Sequence, residues 1–413
     1  MKVFFIDNGM THYYNLVLSK LNKADGVELI LIVPKETNFI GDAVHVTREG
    51  VDFKVYELEE HTRFGRYVSL KGLSQLISEE KPDVLVVGDV HLLMFIFNIP
   101  VILAMKHAGT KLIMKSIPFR LPSYEAAREQ IVNNTELIPR FPRWVSILLQ
   151  KTGLDKVLRY ALLEFMKFAY NLPAAHVNYV EDAYGIFGSY GVSRERIFIT
   201  YNSPDTDKLF QVREELALET PILPICEHRL IHVGRLVEWK RVDLLIRALA
   251  RIKVRFNDAE LLIAGFGPEE DNMRRLSREL NVEDSVHFLG GIYDPAMLGR
   301  YFMSSTLYVL AGMGGLSIND AMCFGLPVIC SICDGTEKML VRDGFNGKFF
   351  APHDEDDLVE KITTLFDNPQ LLAKMGENST SIIQNEININ TVIQGYLSAF
   401  RYVCDHRDNH ERV

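Results

Sequence analysis

Short apolar runs of three to five residues alternate with helical patterns along most of this chain. Runs of this length, separated by helices, are typical of strands in parallel sheets. The alternation therefore predicts fold class α/β, with two doubly wound Rossmann-like sheets. The runs that carry this prediction are 3–6, 29–33, 84–87, 112–114, 177–179, 197–200, 230–233, 261–264, 286–289, 307–310 and 327–329.

A turn-rich stretch at 201–207 separates the two sets of runs. Its Asn, Ser, Pro and Asp residues favour turns over strands and helices. The chain has 413 residues, 47% of them hydrophobic, and can therefore supply two separate cores. We expect an N-terminal domain over residues 1–203 and a second domain over residues 204–385.

The composition argues against several classes of protein. A net charge of -9 disfavours nucleic acid as a partner. Cys330 and Cys333 form a lone CxxC pattern without a second ligand pair, so we expect core thiols and no metal site. The first apolar run stops at Asp7 and is too short for a signal peptide, so we expect a cytoplasmic protein.

Two segments bear on membrane contact. Residues 90–105 fall short of the roughly 18 apolar residues that a membrane span needs, and they include His91, Asn98 and Pro100. We therefore expect a buried helix there. Residues 140–167 carry six Lys or Arg against two Asp or Glu, interleaved with a tryptophan and aliphatic residues. This mixture suits peripheral contact with the inner face of a membrane, and it also suits a helix with its apolar face on the sheet.

The stretch at 230–249 has the composition of a diphosphate site. A short apolar strand ends in Gly234 and Arg235, and Lys240 follows where a helical pattern begins. Gly234 lets the backbone approach a ligand closely. The two cations stand beside a predicted helix N-terminus, whose free N–H groups also favour an anion. A solvated turn with surface charges would give the same local pattern, so this stretch alone leaves both interpretations open.

Three further glycine-flanked motifs follow in order, at 261–270, 286–290 and 312–329. Together, the four motifs make residues 230–385 resemble the nucleotide-binding half of retaining glycosyltransferases of the GT-B fold, family 4 (glycosyl transferases group 1). The resemblance implies two Rossmann-like domains facing each other across a cleft, with a C-terminal helix over 386–413 packing on the N-terminal domain. It also implies transfer from a nucleotide-diphosphate sugar, with no metal and no other cofactor.

The same resemblance implies roles for donor-site residues. Arg235 and Lys240 are expected to contact the donor phosphates. Family members commonly carry two glutamates eight positions apart, and here Gly312 stands at the first position and Asp320 at the second. Asp320 can still accept ribose hydroxyl groups, and the glycine-rich loop would offer open backbone N–H groups, unless its glycines serve turns alone. The other expected donor-site residues are Gly234, Gly265, Gly267, Leu289, Met313, Gly314, Gly315 and Leu316.

The acceptor side departs further from the family pattern. Ile117 stands where many relatives have a histidine that contacts the reacting sugar. His12, His91 and Arg120 lie near predicted strand ends and are candidate substitutes, although a lone histidine is often simply exposed or bonded in a core. The loop that ends at Gly9 has the position of the family's acceptor-facing loop, and turn formation alone would also explain it.

These features predict a retaining, metal-independent hexosyltransferase that acts on an acceptor hydroxyl during synthesis of a bacterial surface glycan. The acceptor would be a glycan or a lipid-linked glycan. One alternative is a non-catalytic subunit that binds a nucleotide sugar, because the first glutamate and the histidine are missing. Another is a nucleotide-sugar epimerase, which would need acid and base groups that are not evident near Ile117 or Gly312.

Overall fold

The chain divides into two units. Unit 1 contains Met1–Thr200 with Ile393–Val413, and unit 2 contains Tyr201–Val392. The computed structural model describes residues 1–35, 47–63, 67–117, 121–133, 154–333 and 335–406. The boundaries predicted from the sequence lie after residues 203 and 385.

Unit 1 is built on a parallel sheet. In chain order its strands are β1 (Lys2–Ile6), β2 (Glu28–Pro34), β3 (Lys54–Leu58), β4 (Glu60–Arg63), β5 (Tyr67–Leu70), β6 (Val84–Gly88), β7 (Lys111–Ser116), β8 (Ala175–Asn178) and β9 (Ile197–Ile199). The seven-stranded order is β3-β2-β1-β6-β7-β8-β9, whereas β4 and β5 form a separate antiparallel hairpin. β1 and β2 are apolar along almost their whole length because both faces of a parallel sheet are covered.

Helices cover both faces of this sheet. In chain order they are α1 (His12–Asn22), α2 (Leu73–Glu80), α3 (Asp89–Ile96), α4 (Ile99–Ala108), α5 (Tyr124–Asn133), α6 (Leu154–Asn171) and α7 (Asp182–Ser189). Successive side chains of a strand point to opposite faces. Phe4 accordingly packs in one cluster with Leu73 and Ile77, and its neighbour Phe5 contacts Tyr14 of α1.

Unit 2 repeats the architecture with six strands, β10 (Arg229–Val233), β11 (Glu260–Ala264), β12 (Val286–Gly290), β13 (Leu307–Leu310), β14 (Val328–Ser331) and β15 (Gly347–Phe350). Their order is β12-β11-β10-β13-β14-β15, and all neighbours are parallel. The helices are α8 (Thr206–Leu216), α9 (Val242–Ile252), α10 (Glu270–Glu279), α11 (Pro295–Met303), α12 (Ser317–Cys323), α13 (Glu337–Leu340), α14 (Glu355–Phe366) and α15 (Pro369–Asn385). The two parallel sheets confirm the predicted α/β class.

The last helix, α16 (Ile389–Asp405), continues into the C-terminal part of unit 1. Its Tyr396 and Phe400 rings lie 5.8 and 6.1 Å from the ring of Phe5, in edge-on contact. All three side chains are fully buried. The C-terminal residues from Ile393 onward therefore complete the core of unit 1.

Residues 90–105 do not form the single buried helix predicted from the sequence. The segment is divided between α3 and α4, and the Asn98 side chain accepts a hydrogen bond from the Val101 N–H at 3.4 Å where α4 begins. Only Val101 and Ala104 of α4 are buried, so one face of the helix remains exposed. Among the helices described, none combines the length and the apolar composition that a membrane span requires.

Truncating Phe400 tests the contribution of α16 to unit 1. We expect Phe400→Ala to lower the free energy of unfolding by about 3–5 kcal/mol, since it removes a fully buried ring from the contact with Phe5. Urea unfolding of the full chain measures the change. The matched control is Leu218→Ala, because Leu218 is 92% exposed and should change stability by no more than about 0.5 kcal/mol. Equal effects of the two substitutions would contradict the assigned packing.

Candidate functional site

The candidate site of unit 2 lies at the carboxyl ends of its central strands. β10 pairs with β11 on one side and with β13 on the other. The chain leaves β10 towards β11 and returns on the other side of β10 through β13, so the strand order reverses direction at this point. Open α/β sheets bind ligands outside such a switch point. The loops after β10, β11 and β13 therefore form the candidate ligand site.

The loop after β10 is held by Lys240, which ends a short 3-10 helix at Glu238–Lys240. The Lys240 side chain is buried, and its Nζ donates hydrogen bonds to the carbonyl oxygens of Met313 at 2.7 Å and Gly314 at 2.8 Å. The ammonium group thus connects the loop after β10 to the glycine-rich loop after β13. Its predicted partner was a donor phosphate, and the structure adds this structural role to that prediction.

Arg235 has a different environment. Its side chain is exposed, and its guanidinium carbon lies 5.8 Å from the centre of the half-exposed Trp239 ring. Within the part of the chain that the structure describes, no ion pair or hydrogen bond engages this guanidinium. Arginine presents five N–H donors in a planar fork that matches phosphate oxygens. Arg235 is therefore a cation that remains available to an anionic ligand.

Glycines permit close backbone contact between the loops after β10 and β11. A Cβ atom at Gly265 would lie 1.8 Å from the Gly234 carbonyl oxygen, and one at Gly267 would lie 2.2 Å from the Leu236 carbonyl oxygen. The two loops also exchange backbone hydrogen bonds, with the Leu236 N–H donating to Phe266 O at 3.0 Å. Gly265 also has φ of 150°, a value that other residues rarely adopt. These glycines are thus required by the crossing of two backbones.

Gly312 is subject to the same constraint in the loop after β13. A Cβ atom at Gly312 would lie 2.1 Å from the Trp239 carbonyl oxygen. The Met313 N–H donates to this same oxygen at 3.1 Å. The prediction that the Met313 N–H is open to a ligand was therefore wrong, because the loop closes on Trp239. Among the described residues, the N–H groups of Gly314, Gly315 and Leu316 make no such bond.

Leu289 lies on β12 at an irregularity in the sheet. Phe288 pairs with Ile263 and Gly290 pairs with Ala264, so Leu289 is the additional residue between the two pairs. A residue inserted in this way is left out of the regular ladder. Its backbone groups at this position are not fully used by the sheet, and its role in donor binding stays a prediction.

Asp320 lies in the first turn of α12 with a partly buried carboxyl group. Burial raises its pKa to about 7. Burial raises the pKa of Tyr308, and the charge of Asp320 adds to this rise, while the Tyr308 hydroxyl contacts Ser317 Oγ at 2.8 Å. Across the described residues, no side-chain hydrogen bond engages the Asp320 carboxyl group. Its oxygens can therefore accept hydroxyl groups of a ligand.

His232 belongs to this site and was not predicted. It lies on β10, is fully buried, and its Nδ1 is 3.1 Å from the Val309 carbonyl oxygen. Burial lowers its pKa to about 4, so the ring is neutral and Nδ1 carries the proton that meets the carbonyl. Nε2 has no partner among the described residues, and a Cβ atom at Gly234 would lie 3.3 Å from it. The one sequence feature that could have pointed to His232 is the presence of a histidine within an apolar strand.

The acceptor-side candidates all belong to the part of the chain that forms unit 1. His91 is a buried residue of α3, Gly9 is buried after β1, and Ile117 is exposed after β7. Arg120 lies outside the described residues, as does the side chain of His12. The structure therefore leaves the choice among these candidates as a prediction.

A partly buried charge pair, not predicted from the sequence, lies at the carboxyl ends of β1 and β7. Lys115 Nζ is 2.8 Å from Asp7 Oδ2 and 3.8 Å from the centre of the Tyr14 ring. Burial acts to lower the pKa of Lys115, but the Asp7 carboxylate and the neighbouring tyrosines raise it well above its usual value. For the neighbouring Tyr179 and Tyr396, burial has the opposite effect and raises the pKa, because a tyrosine is charged when it loses its proton. The charge of Asp7 is therefore compensated within unit 1 by Lys115, which keeps its own charge.

Comparison with known proteins shows which family model the site of unit 2 is similar to. A family model described as Glycosyl transferases group 1 matches residues 226–381, which include the whole candidate site of unit 2. An uncharacterized glycosyltransferase of Haemophilus influenzae is 29% identical over 168 residues, or 40% of this chain. The chain spans about half the length of this relative, since the match covers 46% of it.

A second relative has a defined reaction in its name. The N-acetylgalactosamine-N,N'-diacetylbacillosaminyl-diphospho-undecaprenol 4-alpha-N-acetylgalactosaminyltransferase of Campylobacter jejuni is 25% identical over 258 residues, covering 60% of this chain and 66% of that protein. In structure, HepE of Anabaena in complex with UDP matches with a TM-score of 0.63 at 16% identity, over 96% of this chain and 98% of that chain. These comparisons give the chain the GT-B fold, and residues 226–381 are similar to the glycosyl transferases group 1 model.

Proposed function

We propose that this chain is a retaining, metal-independent glycosyltransferase that moves a sugar from a nucleotide-diphosphate sugar to an acceptor hydroxyl. The observation that carries the proposal is the pairing of a buried and an exposed cation at one switch point. Lys240 is fixed on the carbonyls of Met313 and Gly314, while Arg235 is exposed nearby and has no ion pair among the described residues. A departing nucleoside diphosphate needs positive charge held in place before the reaction.

The three donor-site elements have distinct tasks in this proposal. Arg235 meets the diphosphate oxygens through its planar fork. Lys240 adds positive charge and fixes the loop whose Gly314, Gly315 and Leu316 N–H groups face the diphosphate and the sugar. Asp320, with no competing hydrogen bond to its carboxyl group among the described residues, accepts the ribose hydroxyls. Preorganised groups of this kind lower the barrier because little reorganisation accompanies the reaction.

The packing of Gly312 argues against a degenerate donor site. The loop is built around this glycine, because any side chain would meet the Trp239 carbonyl. There is therefore no empty space beside Gly312 in which a lost glutamate side chain would have fitted. This favours an active transferase over a binding subunit that has lost activity. The epimerase alternative has less support, since His232 is buried and neutral and Asp320 is the carboxylate placed at the described donor site.

We further propose that the acceptor belongs to a bacterial surface glycan and is carried on a lipid, at the inner face of the membrane. The Campylobacter relative is named for a diphospho-undecaprenol substrate, which supports this class of acceptor. HepE was solved with UDP, so UDP-sugars are the first donors to examine, with GDP- and dTDP-sugars beside them.

Removing the exposed guanidinium tests the donor site. We expect one class of nucleotide sugar to raise the melting temperature of the protein, by mass action on the folded state. Arg235→Ala should weaken this binding about 10- to 100-fold, as expected for loss of charge-assisted hydrogen bonds. Arg278→Ala, which removes an exposed arginine of α10, is the matched control and should bind normally. Nucleotide binding that is unchanged in Arg235→Ala would refute the assignment.

Transfer itself requires a separate measurement. Purified enzyme, the stabilising donor and a lipid extract are incubated, and release of nucleoside diphosphate is followed together with the anomeric configuration of the new linkage by NMR. Retention of the donor's α or β configuration is the expected result. Inversion would overturn the retaining mechanism, and donor binding without transfer to any acceptor would favour the non-catalytic alternative.

The Asp320 carboxyl group gives the protein a defined pH dependence. Its folded pKa of about 7 lies above the unfolded value, so the folded state binds a proton that the unfolded state lacks between about pH 4 and pH 7. The stabilising contribution is present below pH 4 and is lost as the pH rises through 7. We expect Asp320→Asn to gain several degrees in melting temperature relative to the wild type at pH 8, but not at pH 4.

As the pH rises, nucleotide affinity should increase while the contribution of Asp320 to stability decreases. Ribose hydroxyls favour the ionised carboxylate, so wild-type affinity should increase between pH 6 and pH 8 while that of Asp320→Asn stays flat. Calorimetric titration across this range measures the effect. Asp271→Asn, on an exposed carboxylate of α10, should behave as the wild type. A wild-type affinity that is independent of pH would contradict the ribose role.

Introducing a side chain at Gly312 tests whether the loop is built for glycine. We expect Gly312→Ala to lower stability by about 1–3 kcal/mol and to weaken nucleotide binding, because Cβ would collide with the Trp239 carbonyl. Gly312→Glu should also fail to improve transfer. In Gly185→Ala, the control, no atom lies within 4 Å of the new Cβ and stability should be unchanged or slightly higher. Full activity of Gly312→Glu would show that the loop can accommodate the family's glutamate.

A further inference from the structure

Two helices of unit 1 expose apolar side chains that no described element covers. On α4, Ile99 is 67% and Leu103 is 48% exposed; on α6, Phe168 is 56% exposed, and Leu172, directly after α6, is 43% exposed. Side chains three or four positions apart share one face of a helix. Together with Phe97 and Ile102, these residues define what we call the α4–α6 surface.

The α4–α6 surface is continuous. The Phe97 ring stacks on the Phe165 ring of α6, with centroids 5.8 Å apart and planes inclined by 18°. A cavity of about 570 Å³ lies between the helices, and both Ile102 and Leu172 line it. Its other apolar walls include Phe95 and Leu112. Contiguous apolar surface of this kind marks a binding site, unlike single exposed apolar residues.

Positive charge surrounds the cavity although the protein carries a net charge of -9. Lys106 and Lys111 line the cavity, and among the described residues no acidic side chain pairs with either lysine. Arg196 also lines it, and its guanidinium donates to the backbone carbonyls of Asn171 and Ala174. Since these acceptors are neutral, the arginine charge is not cancelled by them. Helix α4 itself contains no acidic residue.

The sequence that precedes α6 has the same character. Residues 140–153 contain three basic residues, no acidic residue, and Trp144 among aliphatic residues. Apolar residues with a basic rim match an anionic bilayer, which offers a hydrocarbon boundary beneath negative headgroups. A protein partner would have to supply the same two features on one surface.

We propose that the α4–α6 surface docks on an anionic lipid bilayer. Phe97, Ile99, Leu103 and Phe168 enter the headgroup boundary, while Lys106 and Lys111 meet the lipid phosphates. This extends the membrane contact predicted for 140–167 to α4 and the cavity beside it. The proposal concerns binding alone and does not depend on sugar transfer.

Vesicle sedimentation with the full chain tests the proposal. We expect the wild type to bind phosphatidylcholine vesicles that contain about one-third phosphatidylglycerol at low ionic strength, and to bind phosphatidylcholine alone much more weakly. Leu103→Glu with Phe168→Glu should abolish binding. Lys106→Ala and Lys111→Ala should each lower the partition coefficient about fivefold. Leu218→Glu, at an exposed apolar residue of unit 2, is the matched control and should bind as the wild type does.

Three results would overturn the proposal. They are no vesicle binding by the wild type, equal binding by the Leu103→Glu, Phe168→Glu variant, or a wild-type dimer without vesicle binding that this variant dissociates. The last result would assign the surface to a second copy of the chain. Circular dichroism and the nucleotide-induced melting shift confirm that each variant is folded, and the nucleotide shift also reports separately on the donor site.

Discussion

The candidate donor site depends on close contact between backbones. The loop after β10 passes so near the loops after β11 and β13 that a Cβ atom at Gly265 or Gly312 would overlap a carbonyl oxygen. The Lys240 ammonium then joins the first loop to the last through two carbonyl groups. Because these contacts hold the backbone, Arg235 can remain exposed and the N–H groups of the glycine-rich loop can keep their directions. The position of charge is therefore set by chain packing as well as by side-chain choice.

Much of this arrangement could be predicted from local sequence. The apolar runs predicted two parallel sheets, since a strand buried on both faces is apolar at nearly every position. Gly234, Arg235 and Lys240 follow one strand directly, so their shared location needed no knowledge of distant contacts. Asp320 could be placed because the glycine-rich segment resembles that of the glycosyltransferase family, in which a second glutamate stands at this position.

The remainder depended on contacts between residues far apart in the chain. Lys240 and its acceptors are separated by 73 and 74 positions, and Lys115 and Asp7 by 108. A charge pattern does not reveal which carbonyl or carboxylate a lysine will meet. The Met313 N–H was expected to face a ligand for the same reason, because its bond to Trp239 forms only when two loops meet. The exposure of α4 likewise depends on what the neighbouring helices leave uncovered.

The requirement for glycine also limits how such a site can diversify. A side chain at Gly265, Gly267 or Gly312 would collide with the backbone of a neighbouring loop. Single substitutions at these positions therefore disrupt the loops, and they do not offer a route to a different substrate. Trp239 and Phe266 lie on the loops after β10 and β11, Tyr293 lies on the loop after β12, and all three side chains are exposed. Substitutions of these aromatic residues leave the contacts between the loops unchanged. These positions are therefore where donor preference can change without loss of the fold.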